Sequence, residues 1–359
     1  DMPRPAGGGA PWEWVRQALR QRITGGVWAP GAVLPSRREL AADLRCSPMT
    51  IQKAVDALVV DGFVTTSPRR GSRVALRPPH RHRIAQVFVG PPPGEDGAGA
   101  FTLALAAAAD VVSAAGGPAF IRRGHLGLGD DAALVAGLRG DLAQERLAGV
   151  FIHASAKRVG ATLDRLADLP VVATAGHDSR RDDLPLVVID MLRLYRAAFD
   201  RIHALGCRRP AVLSLARDET PWRALIAGVA GEAGCRLADH HHLMLDERIP
   251  DNHAAAARVL LGQGGRQAPD ALLILDDNLV PGASRGVPVT CGQPVVPVVA
   301  HANFPRPTPC AVAAWRFGPD CRVVIEAMLR LLDHRRAGRI RRQEVPPCWQ
   351  GPRGQDDGG

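Results

Sequence analysis

The sequence predicts an α/β protein in two parts, a small N-terminal domain of three helices and a β-hairpin, followed by a larger two-lobed body. The chain has 359 residues, which is more than one ordinary domain needs. Residues 1–83 carry 14 Lys and Arg against 6 Asp and Glu, whereas the remainder carries 31 against 30. Beyond residue 83, short apolar runs alternate with helical patterns in two successive series, which is typical of parallel strands covered by helices.

The first two helices are predicted from apolar spacing and from a capping signal. Apolar residues recur at steps of three and four from Trp12 to Ile23, which indicates an amphipathic helix that ends at Gly25. A turn rich in glycine and proline follows. Ser36 then begins a short helix, because Glu39 stands at the third position after it and completes a capping box.

A third helix and a hairpin complete the N-terminal domain. Ser47 and Pro48 mark the start of the helix, which runs to Gly62. Residues 63–76 have β character at both ends around the turn at 68–71, whose two arginines make a basic wing. Three short helices with a tight turn between the last two predict a winged helix-turn-helix. Charge alone leaves a solvated basic tail open as the alternative, so this pattern decides in favour of nucleic-acid binding.

Two runs in this domain, VRQALRQRITGGVWAPG and LPSRRELAADLRCSPMTIQKAVDALVVDGFVTTSPRRGSRVA, resemble the winged-helix domain of GntR-type bacterial regulators. In that family the start of the second helix, the recognition helix and the wing touch DNA. By position, the resemblance implies phosphate or base contacts from Arg37 and Arg38, major-groove contacts from Ser47, Met49, Thr50 and Gln52, and minor-groove contacts from Arg69, Arg70 and Gly71.

The recognition helix departs from the family pattern in its first turns. Many relatives have arginine where this chain has Pro48 and Gln52, so their base preference does not carry over. Gln52 has the chemistry to pair with adenine through two hydrogen bonds. For Met49 and Thr50 the alternative is an ordinary exposed helix face.

The body is predicted to span residues 84–350, after a winged-helix domain at 12–77 and an irregular linker at 78–83. Disordered tails are expected at 1–11 and 351–359. The linker sequence PPHRHR combines two prolines with basic side chains, and its two histidines are expected to lie in solvent rather than to bind a metal.

The runs LAGVFIHA, LPVVATAG, LVVIDMLRLYRAAFDRIHALGCRRPAVLSL, PDALLILDDN and VPVVAHAN resemble, in that order, the effector domain of LacI-type regulators. That domain has a periplasmic-binding-protein-like fold, in which a cleft between two lobes binds a small polar ligand. The resemblance implies effector contacts, by position, from Asp190, Trp222, Arg223, Asp276, Asp277, His301 and Asn303.

The cleft positions also depart from their family pattern. The register of Arg223 differs from that of the usual cleft arginine, and the strand that normally ends in a carboxylate ends here in Ala300-His301-Ala302-Asn303. Trp222 is the best candidate for stacking on a sugar, with packing in the core as the alternative. For Asp276 the alternative is a helix N-cap.

The two resemblances together imply a ligand-responsive, DNA-binding transcription regulator of the arabinose-repressor type. We expect a repressor that binds a double-stranded DNA operator as a homodimer and is controlled by a sugar or a related small polar effector. The alternative is a ligand-independent DNA-binding protein that uses the large domain only for dimerisation. Coupling free energies between two such sites are typically about 1–3 kcal/mol.

Other classes of protein are disfavoured. Some GntR-type domains are fused to an aminotransferase-like domain that holds pyridoxal phosphate on a lysine, but the only lysine here outside the first domain is Lys157, and the remaining chain is too short for that fold. We therefore expect no enzyme, no cofactor and no metal. The absence of a long apolar run and the seven scattered cysteines favour a cytoplasmic protein with reduced thiols and no membrane contact.

Overall fold

A computed structural model of the chain describes residues 11–90, 92–94, 99–127, 131–153, 164, 166, 168–176, 183–216, 222–339 and 341–352. Of the tails predicted as disordered at 1–11 and 351–359, residues 1–10 and 353–359 lie outside these ranges, and Pro11 begins the first helix. The helix predicted around 161–169 also falls mostly outside them. Within them, no helix combines the length and the apolar character that crossing a membrane requires.

The N-terminal domain is a winged helix-turn-helix, which confirms the predicted fold. Its core is built from side chains that all three helices and the hairpin contribute, with Leu19, Ile51, Leu58 and Phe63 fully buried. Its elements are α1 (Pro11–Thr24), α2 (Arg37–Asp43), α3 (Pro48–Asp61), β1 (Val64–Ser67) and β2 (Gly71–Val74).

The predicted caps of α2 and α3 are present. The Glu39 N–H donates to Ser36 Oγ at 3.3 Å, and the Ser36 N–H donates to Glu39 Oε2 at 2.7 Å, which completes the capping box. At α3 the Thr50 N–H donates to Ser47 Oγ at 3.1 Å. Gly62 closes α3 in the left-handed conformation with φ of +87°, which a residue without a side chain adopts at little cost.

The linker predicted at 78–83 contains regular structure, and His80 packs against the N-terminal domain instead of lying in solvent as expected. Pro79–His82 forms the short helix α4, and the first strand of the body begins directly at Arg83. The His80 ring stacks on Phe63 with 6.0 Å between ring centroids. Burial, with smaller contributions from neighbouring basic groups, lowers the pKa of His80 to about 4, so the ring packs in its neutral form.

The first lobe of the body is a parallel sheet with helices on its faces. Its strands follow the order β15-β7-β6-β5-β3-β4, and all described pairings are parallel. Its elements are β3 (Arg83–Val89), α5 (Ala100–Ala114), β4 (Ala119–Leu126), α6 (Asp131–Ala143), β5 (Gly149–His153), β6 (Val171–Gly176), β7 (Leu186–Ile189) and β15 (Arg342–Glu344).

The second lobe repeats this arrangement with the order β16-β14-β13-β10-β8-β9, in which only β16 pairs in the antiparallel direction. A two-stranded hairpin, β11 with β12, lies outside the sheet. The elements are α7 (Met191–Ala204), β8 (Pro210–Leu215), α8 (Trp222–Glu232), β9 (His242–Leu245), α9 (Pro250–Leu261), β10 (Ala271–Ile274), α10 (Val280–Arg285), β11 (Val289–Thr290), β12 (Gln293–Pro294), β13 (Val298–His301), β14 (Trp315–Pro319) and β16 (Pro347–Gln350).

The chain passes between the lobes from β7 to α7, from β14 to helix α11 (Cys321–Arg336), and from β15 to β16. Helix α11 packs against α5, β6 and β7 of the first lobe. The sequence pattern assigned no element to residues 304–350, although these residues supply two of the passages. All seven cysteines are free.

Candidate functional sites

The residues predicted to touch DNA lie at three places on the surface of the N-terminal domain. These are the start of α2, the first turns of α3 and the tip of the β1–β2 hairpin. Met49 is 76% exposed, so core packing does not account for a large apolar side chain at this position. The exposed members of the predicted set are Arg37, Arg38, Ser47, Met49, Arg69, Arg70 and Gly71, and the partly buried members are Thr50 and Gln52.

Two polar side chains of α3 are held by neighbours on the same helix. The hydroxyls of Ser47 and Thr50 lie 2.9 Å apart at the helix cap. The Gln52 amide donates to Asp56 Oδ1 at 2.6 Å. A bidentate contact between Gln52 and adenine therefore requires this bond to Asp56 to be exchanged for bonds to the base.

The basic side chains of this surface are available for phosphate. Within the described ranges, no carboxylate lies within ion-pair distance of Arg37, Arg38, Arg69 or Arg70. The structure adds Arg45, an exposed residue with φ of +48° in the turn between α2 and α3. Its position in the tight turn between the two helices is the sequence signal that marks it.

The two lobes meet through a side chain that the sequence analysis did not select. Asn278 follows β10 of the second lobe, and its Oδ1 accepts a hydrogen bond of 2.9 Å from the Ala100 N–H, at the start of α5 in the first lobe. The Asn278 amide nitrogen donates to Asp276 Oδ1 at 2.9 Å and lies 3.3 Å from Glu247 Oε2. The Asn278 side chain therefore bridges the cleft at the carboxyl ends of the strands, where ligands of open parallel sheets bind.

Asp277 forms a buried network with residues far away in the sequence. Its side chain is fully buried and pairs with Arg316 Nη2 at 2.8 Å. The backbone N–H of Asn303 donates to it at 2.9 Å, and the Thr308 hydroxyl donates at 2.6 Å. These partners occupy both carboxylate oxygens, so Asp277 acts as a structural anchor of the second lobe in this conformation.

His301 lies beside this network at the carboxyl end of β13. Its ring packs edge-on against Phe317 with 5.4 Å between centroids, and neither ring nitrogen has a hydrogen-bond partner among the described residues. Burial, opposed by Asp277 and reinforced by Arg316, lowers the pKa of His301 to about 4. In the first lobe, His153 at the end of β5 is equally buried, and burial lowers its pKa to about 3.

Three predicted effector residues hold local structural positions instead. Asp190 caps α7 by accepting the Arg193 N–H at 3.1 Å. The Trp222 ring packs edge-on against Tyr195 at 5.8 Å, in agreement with the core alternative. Arg223 donates from Nη1 to the carbonyls of Asp239 at 3.0 Å and His242 at 2.8 Å. The structure thus brings four of the seven predicted residues into one region, namely Asp276, Asp277, His301 and Asn303.

Comparison with known proteins finds separate relatives for the N-terminal domain and for the two-lobed body. The family described as "Bacterial regulatory proteins, gntR family" matches residues 12–74. The histidine utilization repressor of Klebsiella aerogenes is 38% identical over 64 residues, which make up 18% of this chain and 27% of that protein. The chain therefore matches only about a quarter of the length of this curated relative.

The solved structures that resemble the chain share the fold of its larger part. A regulatory protein of the LacI family from Chloroflexus aggregans aligns with a TM-score of 0.56 at 16% identity, over 75% of this chain and 97% of that one. The transcriptional regulator CelR in complex with cellobiose aligns with a TM-score of 0.53 at 19% identity, over 87% of this chain and 92% of that one. A LacI family transcriptional regulator from Lactobacillus casei with bound sucrose aligns with a TM-score of 0.53 at 16% identity, over 75% of this chain and 98% of that one.

The chain is a winged helix-turn-helix domain fused to a two-lobed α/β body. Residues 12–74 are a GntR-type domain, and the body has the fold of LacI-type regulators. This combination confirms the resemblances that the sequence carries.

Proposed function

We propose that this protein is a transcription regulator that binds operator DNA as a homodimer and changes its DNA affinity when a small polar effector binds between the lobes. The observation that carries the proposal is the exposed, unpaired basic surface on a GntR-type domain. Nearly all of the net charge of the chain lies in the first 83 residues, where phosphate neutralisation supplies binding free energy. Repression is the action that we assign, because the curated relative is a repressor.

The effector site is the cleft at Ala100, Glu247, Asp276 and Asn278. Carboxylate and amide groups converge there from two elements of the second lobe, opposite the start of a 15-residue helix of the first lobe. Such groups recognise hydroxyls, and two of the structural relatives hold cellobiose and sucrose. We therefore assign a sugar or a related polyol as the effector.

Replacing Arg38 with alanine is expected to weaken binding to duplex DNA and to lower its salt dependence. Each lost phosphate contact reduces the magnitude of the slope of log K against log salt by about 0.9. The slope of the R38A/R70A double variant should therefore be smaller in magnitude by about 1.8. Fluorescence anisotropy with a 30-base-pair duplex, from about 50 to 200 mM NaCl, measures both quantities.

The matched control for this experiment is R330A, because Arg330 is an exposed arginine on α11 of the body. Its slope should equal that of the unmodified protein. A slope that stays the same in R38A/R70A would place the DNA contacts elsewhere.

Sugars are expected to raise the melting temperature of the full chain. A ligand at about 100 times its Kd stabilises by about 2.7 kcal/mol, which corresponds to a shift of roughly 5–10 °C for a body of this size. The panel contains cellobiose, sucrose, monosaccharides and polyols. We expect the shift to disappear in N278A, which removes the amide at the centre of the cleft, and to remain in N252A, which changes an exposed asparagine of α9. The absence of a shift with every compound would favour the ligand-independent alternative.

A further inference from the structure

The N-terminal domain is docked on the first lobe through a cluster of charged side chains, two of them buried and three partly buried, which we call the docking cluster: Arg20, Asp61, Arg83, Glu145 and Arg146. Asp61 is the last residue of α3, and its Oδ1 lies 3.0 Å from Arg146 Nε. Arg83 donates to the Asp61 carbonyl at 3.1 Å. Arg20 of α1 lies 3.6 Å from Glu145. The contact therefore joins α1 and the C-terminal end of the recognition helix to the amino-end edge of the sheet.

The buried charges of the docking cluster are incompletely hydrogen-bonded. Arg20 is only 6% exposed, yet its Nε and Nη1 have no hydrogen-bond partner among the described residues, and the same is true of Asp61 Oδ2. Burial is the main reason why the pKa values of Arg20 and Arg83 are lowered. Charges that are buried without complete hydrogen bonding recover only part of the hydration free energy that they lose on burial. Water restores that free energy when the contact opens. An apolar interface of the same size would gain nothing from water.

Helix α11 connects this contact with the passage between the lobes. Its N-cap, Asp320, stands where the chain leaves β14 of the second lobe. Its last residue, Arg336, donates from Nη2 to the Ala148 carbonyl at 2.8 Å and to the His80 carbonyl at 3.4 Å. Sixteen residues at 1.5 Å each make the helix roughly 24 Å long. One rigid element therefore reaches from the second lobe to the segment that carries the N-terminal domain.

Helix α11 packs closely against the first lobe at its C-terminal end. A Cβ atom added to Gly149, the first residue of β5, would lie 2.6 Å from Leu332 Cδ1. The helix thus touches the sheet at the strand that follows Ala148. The helix therefore contacts Gly149 through Leu332 and Ala148 through Arg336, directly after the residues Glu145 and Arg146 of the docking cluster.

We propose that α11 transmits the state of the cleft to the DNA-binding domain, with Arg336 as its output contact. This inference rests on the proposed function, since it takes the cleft to be the effector site. When the lobes move relative to each other, the helix start moves with the β14 passage, and Arg336 displaces the α4 segment and the loop at 144–148. The docking cluster then opens. The DNA surface at Ser47 and Met49 lies at the opposite end of α3 from Asp61, so docking orients that surface without covering it.

Hydrogen exchange on the full chain tests the relay without DNA or an effector. The input is N278A, which removes the hydrogen bond between the Ala100 N–H and the second lobe. E247Q is a milder input if N278A folds poorly, because it removes the charge that holds the Asn278 amide. The output is the exchange rate of residues 58–63 and 79–83. A coupling of ordinary size raises that rate by about 5–150-fold.

In the R336Q background the same input should change the exchange of these residues less than about twofold, because the output contact is already lost. The R330Q variant is the control on the same helix and should behave as the unmodified protein does. An equal response to N278A in the R336Q background, or no response of 58–63 and 79–83 to either input, would overturn the relay. A failed sugar screen would overturn the proposed effector and would leave these exchange results unaffected.

Discussion

Replacing Arg316 with methionine is expected to lower the free energy of unfolding by about 3–5 kcal/mol. The change leaves Asp277, which is fully buried, without the cation that lies 2.8 Å from its Oδ1. The remaining donors from Asn303 and Thr308 are neutral, so they compensate the charge only in part. Urea unfolding followed by circular dichroism at pH 7 measures the loss.

Two further variants separate the charge from the shape of the side chain. R306M replaces an exposed arginine nearby and should change stability by less than about 0.5 kcal/mol. R316M/D277N removes the buried charge and keeps one side-chain oxygen, which can accept from the Asn303 N–H, while the new amide nitrogen can donate to the Thr308 hydroxyl. This double variant should therefore recover at least half of the loss. A loss below about 1 kcal/mol in R316M would contradict the account of Asp277 as an anchor that depends on its cation.

Acidification below pH 6.5 is expected to destabilise the protein through His153 and His301. Burial lowers their pKa values to about 3 and about 4, whereas in the unfolded chain a histidine takes a proton near pH 6.5. Between these values the unfolded state binds more protons than the folded state. The free energy of unfolding therefore falls with pH, by about 1.4 kcal/mol per unit for each histidine, from about pH 6.5 down to the folded pKa.

Urea unfolding at pH 7, 6 and 5 gives the total slope, to which His80 and His242 also contribute because burial lowers their pKa values to about 4. The share of one histidine is obtained from its variant. H301Q should remove its share, about 2 kcal/mol between pH 6.5 and 5, while H240Q, a change at an exposed histidine, should leave the slope as it was. The same slope in H301Q and in the unmodified protein would show that the buried ring of His301 is not the origin of the acid sensitivity.

The N-terminal domain was predictable because its signals are local. The capping box at Ser36 and Glu39, the cap at Ser47 and the closing glycine at Gly62 each involve residues within four positions of the helix end that they define. Their hydrogen bonds form wherever the sequence adopts that turn. The ordered segment at 79–82 was missed for the opposite reason. His80 is held by Phe63, which packs in another element, and two prolines and four basic side chains gave no sign of that contact.

The cleft was predictable only as a region. The alternation of strands and helices placed Asp276, Asp277, His301 and Asn303 after neighbouring strands, and the structure gathers them there. The structure also pairs Asp277 with Arg316, which lies 39 positions away in a strand that the pattern did not predict. The hydrogen bond between the lobes is formed by Asn278, which the sequence pattern did not indicate.

The sequence by itself determined that a basic winged helix-turn-helix precedes two parallel-sheet lobes, because periodicity, caps and charge segregation are properties of short stretches of chain. Only the tertiary structure decided which carboxylate is buried against an arginine, which amide joins the lobes, and that α11 ends against the segment carrying the N-terminal domain. Those outcomes depend on which distant side chains come into contact and on how completely water is excluded from the contact. Both are properties of the packed chain as a whole.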